Sequence, residues 1–117
     1  MHTPSEKNLS KLALVTTLKK CSPQVRGRLI NFLNSEGIQV VSEMVYNVLF
    51  NDSPLTKAQK RKIRKEYLKD KSSLEVISKK RASFKRKRKL LKQTGSGLGT
   101  LLGIGLSLLS PYIFGHS

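Results

Sequence analysis

The fold class is decided by residues 38–49, which read IQVVSEMVYNVL. Their aliphatic side chains recur at steps of three or four residues, the spacing of one face of an α-helix: Ile38, Val41, Val45, Val48 and Leu49. Residues 51–54, Asn-Asp-Ser-Pro, are typical of a turn and end the pattern. The stretch therefore predicts an amphipathic helix that buries its apolar face against neighbouring helices.

Two runs upstream show the same spacing. The first follows Thr3 or Ser5, either of which can cap a helix. Its apolar positions are Leu9, Leu12, Leu14, Val15 and Leu18. The second begins with Ser22 and Pro23, a cap followed by a first-turn proline. Its predicted buried face consists of Val25, Leu29, Phe32 and Leu33. The three runs together predict a small helical bundle.

Charge divides the chain into three segments. Twenty-three Lys and Arg stand against seven Asp and Glu, a formal net charge of +16. Residues 57–92 hold seventeen of these cations and three of the acids, whereas residues 93–117 hold neither. We therefore distinguish a helical head (residues 1–54), a cationic segment (residues 55–92) and a tail (residues 93–117). The expected fold is all-α: short N-terminal helices in a bundle, then long cationic helices and a Gly-rich hydrophobic C-terminal helix.

The cationic segment is also expected to be helical. Thr56 with Gln59, and Ser72 with Glu75, have the spacing of capping boxes, and the second helix could continue to Lys92. Because apolar residues are sparse here, these helices are expected to pack weakly on the bundle. If residues 57–92 were mostly helical, they would span about 54 Å at ~1.5 Å per residue.

So large a surplus of positive charge predicts a polyanionic partner, either nucleic acid or an anionic membrane surface. Sequence-selective proteins hold a few side chains against base edges on a packed scaffold, and the consecutive run at residues 85–89 offers charge instead. We therefore expect double-stranded DNA to be bound through its phosphates, without sequence specificity. The residues assigned to this contact are Lys57, Lys60, Arg61, Lys62, Arg64, Lys65, Lys79, Lys80, Arg81, Lys85, Arg86, Lys87, Arg88, Lys89 and Lys92.

The tail allows several interpretations. Residues 98–114 contain no charge, and a helix of that length lies at the lower limit for crossing a bilayer. The hydrophobic positions and the Gly-x-x-x-Gly pair considered are Leu98, Gly99, Leu101, Leu102, Gly103, Ile104, Leu106, Leu108 and Leu109. They could insert into an anionic membrane, fold back on the bundle, or dock on another copy or a protein partner. A small membrane-active or tail-anchored protein is thus the alternative function.

Chemistry-bearing residues are few. Cys21 is the single cysteine, and the two histidines, His2 and His116, lie at opposite ends of the sequence. No paired-carboxylate cluster, metal-ligand spacing or Walker-type loop is present. We therefore expect no enzyme activity, no metal site and no cofactor.

The order of basic run, glycines and Leu-rich end resembles core protein X of adenoviruses, the precursor of the mu peptide. A closer resemblance is to small basic proteins of adintoviruses and Polinton (Maverick) elements. It is carried by Pro-Leu-Thr-Lys-Ala-Gln-Lys-Arg at 54–61, Lys-Arg-Lys-Leu-Leu-Lys-Gln at 87–93, and the Gly-rich stretch from residue 95. The resemblance implies a DNA-condensing protein of the virion core, present in the host nucleus during infection, with capsid or other core proteins as further partners. Unlike the Arg-dominated mu peptide, residues 57–92 contain more Lys than Arg.

Overall fold

A computed structural model describes residues 6–50 and 55–113 of the chain, and these ranges form seven α-helices without a strand. In chain order the helices are α1 (Glu6–Lys20), α2 (Pro23–Phe32), α3 (Ser35–Phe50), α4 (Lys57–Lys69), α5 (Lys71–Ser78), α6 (Phe84–Gln93) and α7 (Ser96–Ile113). The predicted all-α class is confirmed.

Local sequence signals explain two helix starts. The Ser22 hydroxyl accepts the N–H of Val25, with Pro23 in the first turn, so the predicted cap of α2 is confirmed. At α4 the capping box is complete, because Thr56 and Gln59 each accept the other's backbone N–H. The predicted caps at Thr3 or Ser5 and the turn at residues 51–54 lie outside the described residues.

The predicted start at Ser72 is wrong. Helix α5 already begins at Lys71, directly after the Asp70 residue that ends α4, and its N-cap makes no side-chain hydrogen bond. Packing decides this boundary, since Leu74 and Ile77 of α5 are both buried in the core. The expected helix from residue 72 to residue 92 is also wrong, because the chain leaves the helix after Ser78 and begins α6 at residue 84.

All seven helices contribute to one hydrophobic core. Helix α3 supplies the largest share of this core and packs against five of the other helices. The buried apolar residues are Val15, Leu18, Ile30, Ile38, Val41, Met44, Val45, Val48, Ile63, Leu74, Ile77, Leu91, Leu98, Leu101, Leu102 and Ile104. The head, the cationic segment and the tail therefore share a core. The longest dimension of the described chain is 40 Å, so the cationic helices do not extend over the expected 54 Å.

The predicted buried face of α2 is wrong at two of its four positions. Phe32 is 86% exposed and Val25 is also exposed, whereas Leu29 and Leu33 are half-buried and pack against the core. The fully buried residues of the helix are Arg26 and Ile30. Helix α2 therefore turns the side that carries Arg26 and Ile30 toward the core. Arg26 can lie there because its guanidinium has hydrogen-bond partners inside the fold. An apolar stripe read from the sequence could not include a charged residue.

The guanidinium of Arg26 connects the end of α1 to the start of the tail. Its Nε donates to the carbonyl oxygen of Leu18 at 2.8 Å, and its Nη2 donates to Cys21 at 2.7 Å and to Lys19 at 3.4 Å. Its Nη1 donates to the carbonyl oxygen of Gly95 at 2.9 Å. These bonds satisfy carbonyls at the C-terminal end of α1, which have no partner within that helix.

Burial and close packing define the position of the tail. Its predicted hydrophobic residues Leu98, Leu101, Leu102 and Ile104 lie in the core, and Leu106 and Leu108 pack at its edge. The Gly99 and Gly103 pair faces the side chains of Arg26 and Lys19, so it permits α7 to approach the head. The side chain of Leu109 lies outside the described residues.

Among the helices of residues 6–50 and 55–113, none combines the length and the hydropathy that a membrane-spanning segment requires.

Candidate nucleic-acid interface

Most cations assigned to DNA contact lie on the protein surface. Thirteen of the fifteen are exposed: Lys57, Lys60, Arg61, Lys62, Arg64, Lys65, Lys79, Lys80, Arg81, Lys85, Arg86, Lys89 and Lys92. Two further cations of the same segment, Lys69 and Lys71, are exposed as well. We call these fifteen residues the exposed cations of the cationic segment.

Helix α4 presents its cations because it is anchored by few apolar contacts. Ile63 is its one buried side chain. The helix is also held at two polar contacts: Gln59 Nε2 donates to Ser107 Oγ of α7 at 3.1 Å, and the Tyr67 hydroxyl donates to Glu75 Oε1 of α5 at 2.8 Å. The hydrogen bond to Glu75 raises the pKa of Tyr67, with smaller contributions from burial and from the carboxylate charge. Six assigned cations are thus displayed by a helix fixed at both ends.

The second group of cations spans the α5–α6 connection and α6. Lys79, Lys80 and Arg81 lie in the connection, and α6 then begins at the Ser83 cap, whose hydroxyl accepts the N–H of Arg86 at 3.2 Å. No acidic residue occupies the first turn of α6. The positive end of the helix dipole therefore adds to the lysine and arginine charges there, which favours an approaching phosphate.

The three acids of the cationic segment are drawn away from its surface. Glu66, Asp70 and Glu75 are all half-buried. Glu66 and Asp70 lie beside Gly97, in the first turn of α7, and Glu75 is held by the Tyr67 hydroxyl. Carboxylates are favoured at a helix N-terminus, so α7 provides a physical reason for the placement of the first two. The exposed surface of this segment is consequently more cationic than its composition indicates.

Lys87 and Arg88 are placed differently from the other assigned residues. Lys87 is 2% exposed, and Arg88 is half-buried with its Nη2 donating to the carbonyl oxygen of Leu33 at the end of α2. Both lie on the side of α6 that carries the buried Leu91 and faces the bundle. Lys87 is therefore not part of the exposed cationic surface, and Arg88 acts as a cap on α2.

The exposed cations occupy two parts of the surface. Helix α4 packs on α7, α5 and α3, and α6 packs on α5, α2 and α3. Over a length of about 40 Å, duplex DNA carries on the order of 24 phosphates, at one charge per ~1.7 Å. A duplex of that length thus carries more charges than the fifteen exposed cations can neutralise.

Sequence reasoning gave no role to Arg26, which is buried. Burial lowers the pKa of the Arg26 guanidinium, and the neighbouring Cys21 partly opposes this effect. Nothing in the local pattern distinguishes it from the exposed Arg28 two residues later. The distinction arises from carbonyl groups of α1 and of Gly95, sixty-nine residues away.

Comparison of the chain with protein-family models, with curated proteins and with solved structures finds no match.

Proposed function

We propose that this protein binds and condenses double-stranded DNA without sequence specificity, as a structural component of a virion core. The observation that carries the proposal is the separation of charge in the cationic segment. Fifteen cations are exposed while its three acids are half-buried. A surface of this kind neutralises phosphates and releases their counterions, which is the main source of non-specific affinity for DNA.

Condensation requires contact with more than one duplex. We assign this to two groups of exposed cations, one on α4 and one on the α5–α6 connection and α6, each contacting its own duplex. The resemblance to core protein X and to the basic proteins of adintoviruses supports a place in the virion core and, during infection, in the host nucleus. Capsid or other core proteins are further partners under the same proposal.

A membrane-active role for the tail receives no support from its position. Four of the residues that would insert into lipid, Leu98, Leu101, Leu102 and Ile104, form part of the core, and Leu98 and Leu102 are fully buried. Insertion would require α7 to leave α1 and α3 and expose their apolar faces to water.

The proposal is tested with the full chain by salt-titrated binding to several duplexes of unrelated sequence. One variant replaces three exposed cations of α6 by Gln: Lys85, Arg86 and Lys89. The control replaces three exposed cations of the head by Gln: Lys19, Lys20 and Arg28. If each α6 residue contacts one phosphate, the slope of log affinity against log salt becomes shallower by about 2.7, at ~0.9 per contact.

Two results would contradict the proposal. If the α6 variant and the head control lose the same affinity for DNA, then net charge determines binding and the exposed cations of the cationic segment do not. Affinities that differ by more than about a hundredfold between unrelated duplexes at one salt concentration would require base readout. For condensation, a third variant with Gln at three exposed positions of α4 (Arg61, Lys62 and Lys65) should still bind one duplex but should form fewer light-scattering aggregates.

A further inference from the structure

An open cavity of about 600 Å³ lies between α3, α5 and the start of α6. Its wall includes Ser42, Glu43 and Tyr46 of α3, Lys80 of the α5–α6 connection, and Lys87 of α6. Binding sites for small molecules commonly have volumes of about 300–1,000 Å³. The cavity is therefore large enough for a ligand of nucleotide size.

This wall holds a nearly buried lysine and a buried hydroxyl that has no hydrogen-bond partner in the described part of the chain. Lys87 is 2% exposed, and its Nζ lies 5.9 Å from the centroid of the Phe84 ring, a cation–π contact. Ser42 is 3% exposed, and its Oγ is buried without a hydrogen-bond partner. Buried polar groups are normally satisfied, so the Ser42 hydroxyl requires an explanation.

A nearly buried lysine lowers the stability of a fold, because its ammonium loses much of its water and gains only a weak cation–π contact in exchange. Burial lowers the pKa of Lys87, and the charge of Glu43 partly opposes this shift. An aliphatic side chain would fill the same space without that cost. A ligand that accepts hydrogen bonds would satisfy the Lys87 ammonium and the Ser42 hydroxyl together.

The charges at the cavity indicate which ligand this would be. Lys80 and Glu43 are both exposed, and Glu43 Oε1 already accepts a hydrogen bond from Gln39 Nε2 at 3.0 Å. With Lys87, the wall has two cations and one acid, a net charge that favours an anion. Tyr46 adds an exposed aromatic ring on which a base can stack.

We propose that this cavity binds the phosphate group of a nucleotide-sized ligand, with Lys87, Ser42 and Lys80 as donors and Tyr46 beside the base. The phosphate could belong to a mononucleotide or to a nucleic-acid strand, and the chemistry of recognition is the same. Of the exposed cations of the cationic segment, the site includes Lys80 alone, so it does not depend on the function proposed above.

The test is the thermal stability of the full chain with increasing adenosine monophosphate at constant ionic strength, with adenosine as the uncharged comparison. The monophosphate should raise the melting temperature of the wild type, and adenosine should not. Lys87→Met should weaken the binding of the monophosphate by about tenfold or more, as expected for a lost charge-assisted hydrogen bond. Ser42→Ala should weaken it by a smaller factor. Glu43→Gln should strengthen it, because a like charge is removed.

The matched control is Lys89→Met, which removes the same charge from an exposed position on the same helix. It should change the binding of the monophosphate by less than about twofold. Without ligand, Lys87→Met should melt at or above the wild-type temperature, which distinguishes a ligand-binding lysine from a structural one.

Equal monophosphate responses in Lys87→Met and Lys89→Met would overturn the proposal, as would a lower melting temperature of Lys87→Met without ligand. The binding of a closed-ended DNA duplex distinguishes the two possible sources of the phosphate, a free nucleotide and a nucleic-acid strand. If Lys87→Met binds this duplex as the wild type does, the ligand is a free nucleotide. If it binds the duplex more weakly, the phosphate is that of DNA.

Discussion

Removal of the Arg26 guanidinium should destabilise the fold more than removal of any exposed cation. The Arg26 guanidinium donates hydrogen bonds of 2.7–2.9 Å to the carbonyl oxygens of Leu18, Cys21 and Gly95, and a weaker one of 3.4 Å to that of Lys19. Arg26→Ala removes all four of these hydrogen bonds. A hydrogen bond from a charged donor contributes about 1.5–3 kcal/mol, and the desolvation of the guanidinium offsets part of that gain. We therefore expect the free energy of unfolding to fall by about 3 kcal/mol.

That loss is large for a domain of this size, whose free energy of unfolding is typically about 5–15 kcal/mol. It corresponds to a melting temperature lower by roughly 12 °C, at ~4 °C per kcal/mol. Far-ultraviolet circular dichroism during urea and thermal unfolding measures both quantities. Arg28→Ala is the control, since it removes the same charge from an exposed position on α2 and should change stability by less than about 0.5 kcal/mol. If the free energies of unfolding of Arg26→Ala and Arg28→Ala differ by less than about 0.5 kcal/mol, Arg26 does not connect α1 to the tail.

A double-mutant cycle tests the same contact from the tail. A Cβ at position 99 would lie 2.6 Å from Nη2 of Arg26, which cannot move away without losing its carbonyl bonds. Gly99→Ala should therefore destabilise the wild type but cost little in the Arg26→Ala background, with a coupling of about 1 kcal/mol or more. Additive costs would show that the guanidinium is not the reason for glycine at this position.

Three further predictions concern single positions. Thr56→Ala should lower the free energy of unfolding by about 1 kcal/mol in urea titrations, and Thr56→Ser should retain most of it, because only alanine lacks the hydroxyl that caps α4. Gly105→Ala should lower the free energy of unfolding by about 1–3 kcal/mol, because its Cβ would overlap Met44 in the core. Gly27→Ala has open space around its Cβ and should stabilise α2 by up to ~1 kcal/mol. Changes of the same sign in the two variants would contradict this prediction. As pH rises toward 10.5, the wild type should gain stability relative to Lys87→Met, because the folded state releases the Lys87 proton more readily than the unfolded state. The free energies of unfolding of the two proteins are measured as a function of pH. A difference between them that does not change with pH would contradict this prediction.

Local chemistry made a large part of the fold predictable. The caps at Ser22 and Thr56 involve residues three positions apart, so the sequence contains both partners of each hydrogen bond. The helical spacing of residues 38–49 likewise predicts α3 because it depends on the geometry of that segment alone. Local spacing failed at Ser72, where the packing of α5 against the core sets the helix start.

The candidate site was predictable in composition but not in arrangement. The concentration of cations in residues 57–92 is a property of the sequence, and thirteen of the fifteen residues assigned to DNA contact are exposed. Within the consecutive run at residues 85–89, nothing in the sequence distinguishes Lys87 from Lys85 or Lys89. The difference follows from the side of α6 that packs on α3, which decides that Lys87 lies at the cavity with Ser42.

The sequence by itself thus determined the all-α class, the helix-forming stretches and the division of charge, because these depend on residues within a few positions of one another. The tertiary structure decided that the tail belongs to the core, that Arg26 is buried, and that Glu66 and Asp70 turn toward the first turn of α7. Each of these depends on contacts between segments far apart in the chain, such as the bond from Arg26 to Gly95. The sequence around a charged or apolar residue is the same whether its side chain is buried or exposed. Only the packing of the helices determines whether that side chain lies in the core or at the surface.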